Sequence, residues 1–485
     1  MAPPELIVEA TPWPSSERHA TNETSQKVNA SPERSSKSGR GRALSLAQLD
    51  LEVRETGKSL IIFQGRIYDL TQWLPYHPGG DLAIAPLIGK DATEQILAFH
   101  PSFVYDKMIK SFYYGVMVYT EAEALLLEDG LRVAASFDRL KADIVANGLM
   151  QITPEFYGPL VARFALHFAA TIALCLYLPA PLNAIVGGLA MGFFWQQIAF
   201  FSHDAGHGGV THNRSTDSFM GTVLATFFGG LSLGWWKHSH NVHHIITNHP
   251  EHDPDIQHMP VFAINKSFVD SLFSTYYKRT MSFDAWARWW ISMQHYSYLP
   301  LCTIGRFNLY VLSYKFLYEH FRALDFGALE IMGLGSFWVW YGLLSFSFRS
   351  YLLALVFILV SHGASSILHL QINVSHFGMS TENIDCNEHF AIRALRTTMD
   401  VDCPEWMDWF HGGLQFQVIH HLFPRMPRAN LRKAVPLVRQ FCQENQLVYH
   451  SHTFIQGNGL VLSQLREVAE HVQFLISTAD FTHGH

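Results

Sequence analysis

The sequence predicts a small α+β soluble domain followed by an all-α membrane domain of four transmembrane helices, paired as two hairpins and accompanied by interfacial helices. Three observations carry that reading. The 485-residue chain is 48% hydrophobic and 14% aromatic but only 15% charged, too apolar for an ordinary soluble enzyme. Apolar runs long enough to span a bilayer come in two closely spaced pairs. Three histidine groups then follow or separate those pairs. A net charge of −7, with no basic stripe or finger spacing, argues against a nucleic-acid partner. The five cysteines, Cys175, Cys302, Cys386, Cys403 and Cys442, show no CxxC spacing, which fits a reducing compartment.

From Met1 to Arg42 the chain is rich in Ser, Pro, Lys and Arg, so a disordered tail is expected there. No short apolar run with a small-residue cleavage site opens the sequence; no cleaved secretory signal is expected, and whatever precedes the first span should stay in the cytosol. A compact domain is expected over residues 43–120. Ser59–Phe63 and Arg66–Leu70 read as short strands around Gln64-Gly65. His77-Pro78-Gly79-Gly80-Asp81, Gly89-Lys90-Asp91-Ala92-Thr93 and Phe99-His100-Pro101 follow. This segment resembles the cytochrome b5 family over nearly its whole length. The resemblance implies a b-type haem with His77 and His100 as its axial ligands. Two neutral imidazoles closing both axial positions leave none for oxygen, so such a group carries electrons.

A polar linker is expected over 121–157, and a membrane domain over 158–485. Gly158–Pro179 and Leu182–Phe201 are interrupted only by Arg163 and His167, and each is long enough, at 1.5 Å per residue, for roughly 30 Å of hydrocarbon. Pro179-Ala180-Pro181 cannot continue a helix, so the pair forms a hairpin with both ends on one side. A second hairpin is expected from Phe326–Leu344 and Tyr351–Ile372. Ser218–Trp236, with Gly229-Gly230 inside it, is also apolar. If it crossed, the histidines on either side of it could not share metals, so a partly buried, non-crossing or re-entrant segment is expected. Ser282–His320, rich in Trp, Tyr, Phe and Arg, reads as interfacial. Arg425, Arg428, Arg432 and Lys433 open a polar, mixed tail, and their excess charge agrees with a cytosolic face.

His203 and His207 stand at i, i+4; His240, His243 and His244 at i, i+3, i+4; His420 and His421 follow Gln417, which occupies the place His240 holds in its own group. On helices these spacings gather imidazoles on one face. Neutral imidazole suits iron, zinc, copper or nickel. Seven histidines exceed what one four-coordinate zinc can use, so two metal ions are the simpler reading. Any one of these histidines alone would more often be a packed or surface residue. Three groups together are not.

The boxes HDAGH at 203–207, HNVHH at 240–244 and QVIHH at 417–421 resemble those of front-end membrane desaturases with a fused cytochrome b5 domain. The run Trp235–Pro260 looks most like fungal delta-8 sphingolipid desaturases. That resemblance implies an iron pair held by His203, His207, His240, His243, His244, His420 and His421, with Gln417 as ligand or hydrogen-bonding neighbour. It adds His376, at the inner end of the last span, as a further ligand. Asn373 is left open as the holder of a metal-bound water, and Asp204 and Asn241 are expected to fix imidazole tautomers. His238, His249, His252 and His258 are expected in surface or hydrogen-bonding roles.

The implied activity is O2-dependent insertion of a double bond into the long-chain base of ceramide, with a narrow apolar tunnel positioning the chain. Electrons would come from NADH through a cytochrome b5 reductase and the haem. The implied location is the endoplasmic reticulum membrane, with haem and catalytic domains cytosolic. A delta-5 or delta-6 acyl-lipid or acyl-CoA desaturase, or a lipid hydroxylase, shares these features. A membrane zinc hydrolase would need Asp204 in the place of the HExxH glutamate and would leave histidines over. A non-catalytic haem-bearing adaptor would leave all three groups without a use.

Overall fold

The computed structural model describes residues 42–382 and 388–483. The expected tail, Arg42 apart, lies outside the described residues, as does Cys386. The chain forms two compact units, the first built from residues up to Arg132 except Pro78–Pro86.

In the first unit β1 (Arg42–Leu44) leads into α1 (Leu46–Thr56), followed by β2 (Leu60–Phe63), β3 (Arg66–Asp69), α2 (Thr93–Phe99) and β4 (Tyr113–Met117). Ser45 and Gln48 close a reciprocal capping box at the start of α1, and Gly57 ends it in the left-handed region. The strands form one sheet in the order β1-β4-β3-β2, parallel only between β1 and β4. Gln64 and Gly65 both take positive φ, which a tight turn between twisted antiparallel strands requires. Leu49, Leu60, Ile62 and Ile67 fill the space between sheet and α1.

The second unit is helical. The segment expected as a linker carries the long α3 (Glu121–Ala146). Val133, Phe137, Leu140 and Ile144 recur at helical spacing and are buried against Phe390, Ile419, Leu422 and Phe441, so this stretch belongs to a core. Next come α4 (Pro154–Tyr177) and α5 (Leu182–Gly206), the first expected hairpin. A Cβ added at Gly192 of α5 would stand 2.5 Å from that of Ala364, so glycine permits the close approach there.

Then α6 (Arg214–Thr222) runs on through a π-type turn to Phe228, and α7 (Leu233–Ile245) leaves at an angle of 116°. The segment turns back, as shared metals require. The aromatic stretch forms α8 (Ala285–Ser292), with Trp286 and Trp289 exposed, and α9 (Gln294–His320). The second hairpin is α10 (Gly327–Phe346) and a pair broken at Ser365, α11 (Tyr351–Ala364) and α12 (Ser366–Asn373). Among the described residues four helices, 154–177, 182–206, 327–346 and 351–373, are long and apolar enough to cross a membrane.

The remaining α-helices are α13 (Phe390–Thr397), α14 (Asp408–His411), α15 (Gln417–Leu422), α16 (Arg428–Glu444) and α17 (Phe454–His483), and two small two-stranded sheets pair 272–274 with 279–281 and 400–402 with 451–453. The stretch expected as a polar tail is therefore largely helical. Val461, Leu465, Val468 and Val472 bury one stripe of α17 against a core that includes Ile291, Tyr298 and Cys302. Two of the basic residues read as a cytosolic signal are engaged internally: the Arg428 guanidinium lies 3.0 Å from Asp204, and Arg432 pairs with Asp408. Replacing Phe137, 1% exposed, with Ala should cost about 3–5 kcal/mol, read as a lower thermal midpoint of the detergent-solubilised protein.

Candidate haem and metal sites

In the first unit the rings of His77 and His100 face each other with centroids 6.0 Å apart. Metal–imidazole bonds of about 2 Å on either side would fit one metal atom between them. His100 Nδ1 lies 3.1 Å from the Ile96 carbonyl, which fixes its proton there and leaves Nε2 as the ligating atom. Gly80 adopts φ +84 just past His77, a conformation side-chain-bearing residues rarely take.

In the second unit each histidine group sits at a helix terminus fixed by other residues. His203 and His207 end α5, where Asp204 accepts from the Tyr157 hydroxyl at 3.0 Å, lies against Arg428 and stands 3.5 Å from His203 Nδ1. Ser232 caps α7 through the Trp235 amide. Its His243 Nδ1 lies 2.8 Å from Asp253, and Asp255 is 3.7 Å from His240 Nδ1. The short α15 is held by Asp400, which accepts the Val418 amide at 2.8 Å and the Tyr449 hydroxyl; burial pushes this carboxyl up to about 7. His421 Nδ1 meets Thr247 Oγ1 at 3.2 Å, and His376 Nδ1 meets the Thr397 carbonyl at 3.3 Å.

These anchors bring the boxes together. His203, His207, His240 and His420 form one set and His243, His376 and His421 another; within each, one nitrogen per residue lies within 4.8 Å of all the others. His244 stands between the sets. Its Nε2 is 3.0 Å from His240 Nε2, and its ring is 4.7 Å from His207 and 4.2 Å from His421. Among the described residues the Nε2 atoms of His207, His420 and His421 are buried without a hydrogen-bonding partner. Such orphaned atoms are costly to bury unless something coordinates them, and an all-imidazole donor set suits iron. The residues present fit a pair of metal ions.

Electrostatics agrees. Burial, reinforced by repulsion among neighbouring rings, holds His207, His240, His244, His420 and His421 well below the ordinary imidazole range, so they stay neutral. His376 is lowered to about 3, mainly by burial. At His243 burial pulls the same way, but Asp253 and Asp255 outweigh it and raise the group to about 9.

Gln417 lines a cavity of about 10 Å³ with His203, Asp204 and His420, room for about one water. Asn373 does not face a donor set through its amide nitrogen, which donates to the Tyr298 hydroxyl at 3.3 Å. Among the described residues Asn241 makes no hydrogen bond to a histidine; Asp253 bonds His243 instead, and Asp255 lies 3.7 Å from His240. They stand inside the run His252-Asp253-Pro254-Asp255, whose alternating carboxylates close to a histidine box were the available signal. The additional histidines bond elsewhere: His238 to Tyr276, His252 to Thr275, and His258 to the Asp255 carbonyl, while His249 stacks on His252.

Four apolar helices, a facing histidine pair in a small sheet domain and two converged imidazole sets define a multi-pass membrane oxidoreductase with its own haem-binding module. A fatty acid desaturase family model matches residues 179–453, and a cytochrome b5-like haem/steroid binding domain model matches residues 45–118. The chain belongs to the fatty acid desaturase family, with a cytochrome b5-like domain fused ahead of it. It is 36% identical to a Delta 8-(E)-sphingolipid desaturase of Komagataella phaffii, over 87% of this chain and 94% of that protein. It is 37% identical to the protein of the same name from Emericella nidulans, over 86% and 93%. It is 33% identical to an acyl-lipid (9-3)-desaturase of Borago officinalis, over 85% and 90%.

Replacing Asp253 with Asn should weaken metal retention about 10–100-fold, because His243 loses the carboxylate that orients it. Non-haem iron remaining after chelator dialysis measures this.

Proposed function

We propose that this chain is a sphingolipid delta-8 desaturase, which uses O2 to insert an E double bond into the long-chain base of ceramide. The observation that carries the catalytic part is the convergence of seven histidines into two donor sets, with His244 between them. His203, His207, His240 and His420 would hold one iron, His243, His376 and His421 the other, and His244 stands within reach of both; Gln417 acts on the first through the small cavity it lines. His77 and His100 would hold the haem. When bound, the iron pair supplies O2 activation strong enough to take hydrogen from an unactivated methylene, and the haem supplies one-electron carriage from an NADH-cytochrome b5 reductase.

The protein's own groups direct that chemistry. Asp253 keeps the proton of His243 on Nδ1, and the Thr397 carbonyl does the same for His376, so Nε2 of each ring presents its lone pair. Burial of His243, His376 and His421 keeps bulk water from the second donor set, which protects a reactive site from side reactions. The hairpins return both ends to one side, which supports a cytosolic metal site in the endoplasmic reticulum membrane.

The substrate rests on the fungal relatives, which match nearly the whole chain and bear the sphingolipid name. The plant acyl-lipid relative keeps a second reading in view, desaturation of a fatty acyl chain. Expression in a yeast lacking both activities, with mass spectrometry of long-chain bases and fatty acids, separates them. A new double bond in the long-chain base is expected; unsaturation confined to fatty acids would overturn the choice. Replacing His77 with Ala should abolish turnover while non-haem iron remains bound, and an active variant would remove the fused domain as the electron source.

A further inference from the structure

The apolar segment between the first two histidine boxes breaks at Gly229-Gly230, and the break is packed among the membrane spans. Backbone groups freed at such a depth must find partners within the protein, since lipid offers none. Here different elements supply them. Trp340 of α10 donates Nε1 to the Phe227 carbonyl at 2.7 Å, and Trp195 of α5 donates to that of Phe228 at 2.9 Å. Arg306 of α9 donates Nη2 to the Gly229 carbonyl. On the far side of the turn, the Ser232 amide donates to Ser313 at 3.2 Å and the Gly234 amide to Glu330 Oε1 at 2.8 Å, while the Ser232 hydroxyl donates to Glu330 Oε2. Gly230 has φ +70, and a Cβ there would stand 2.4 Å from the Phe337 ring. The turn is tight, and side chains of other elements hold both its arms.

Two of these partners are ionisable and buried: Arg306 is 4% exposed and Glu330 3%. Among the described residues neither forms an ion pair. Arg306 lies over the Trp195 indole at 4.1 Å and donates Nε to the Tyr310 hydroxyl at 2.9 Å. Each charge instead stands at the helix end it complements. The cation meets the carbonyl end of the α6 segment, where the dipole is negative, and the carboxylate meets the amide end of α7, where it is positive. An unpaired charge inside a membrane protein is too expensive to keep without such a use.

We propose that Arg306 and Glu330 are positioning residues, a divided charge pair that fixes the 116° return of this segment and so sets His240, His243 and His244 against the other two boxes. This rests on the iron-site reading above but not on the choice of lipid. The test uses the full chain purified in detergent, with haem by absorbance, non-haem iron per haem, and monodispersity by size exclusion.

Arg306→Gln and Glu330→Gln should stay monodisperse and keep haem, while non-haem iron retained against a chelator falls about tenfold, as for loss of a partner that orients ligands. Arg306→Lys should recover most of that iron, since a cation returns to the same carbonyl end. Gly230→Ala should lose it without touching either charge. The exchange R306E/E330R should be worse than either single change, because each charge then faces the wrong helix end. Recovery of iron in the exchange would show an ordinary ion pair and overturn the proposal, as would full iron in both glutamine variants. Aggregation of Arg306→Lys along with Arg306→Gln would also overturn it, marking a general folding role. If the wild type holds its iron yet leaves long-chain bases saturated, the substrate assignment fails and this one stands.

Discussion

Crowded imidazoles impose the constraint on which the rest of the second unit depends: rings this close must be aimed, and His207, His240, His244, His420 and His421 must stay neutral. Burial removes the charge, and repulsion between neighbours keeps it off. Aim comes from the other ring nitrogen, which meets a carboxylate, a hydroxyl or a carbonyl at His243, His421 and His376. The site is therefore made as much by Asp253, Thr247 and Thr397 as by the histidines.

The membrane topology serves the same constraint. His203 and His207 end the first hairpin, His376 follows the second, and the segment between the first two boxes turns back instead of crossing. The turn at Gly229-Gly230 is closed by polar side chains from neighbouring helices. The loop before the third box shows this again: Gln196 and Gln371 both bond the Phe410 carbonyl, and Gln197 bonds that of Trp409. Glutamines buried in apolar helices look out of place until their partners are seen.

Much of this could be read from the residues. The four spans, the hairpins and the return at Gly229-Gly230 follow from hydropathy, proline positions and the need to share metals, and the three boxes declare themselves by spacing. Other features depended on contacts that spacing does not encode. The polar faces of α3 and α17 dilute their composition, so both passed for linker or tail, although Val133, Phe137, Leu140 and Ile144 keep a helical period. Arg428 and Arg432 looked like topology signals because their carboxylate partners, Asp204 and Asp408, lie more than twenty positions away. Asn373 and Asn241 were singled out by proximity in sequence, which does not fix where a side chain points.

The glycine face of α5 has a consequence for how the protein meets lipid. Gly187, Gly188 and Gly192 seat this helix against Cys175, Val360 and Ala364, and its apolar window is 67% buried, against 22% in α4 and in 351–373. A bilayer that thickens or thins therefore acts on the outer helices, which can tilt to match it, while the helix bearing His203 is shielded from that adjustment. The placement of His203 and His207 is thus set by packing within the protein, whereas His376, three residues beyond 351–373, hangs from a helix that answers to the thickness of the bilayer.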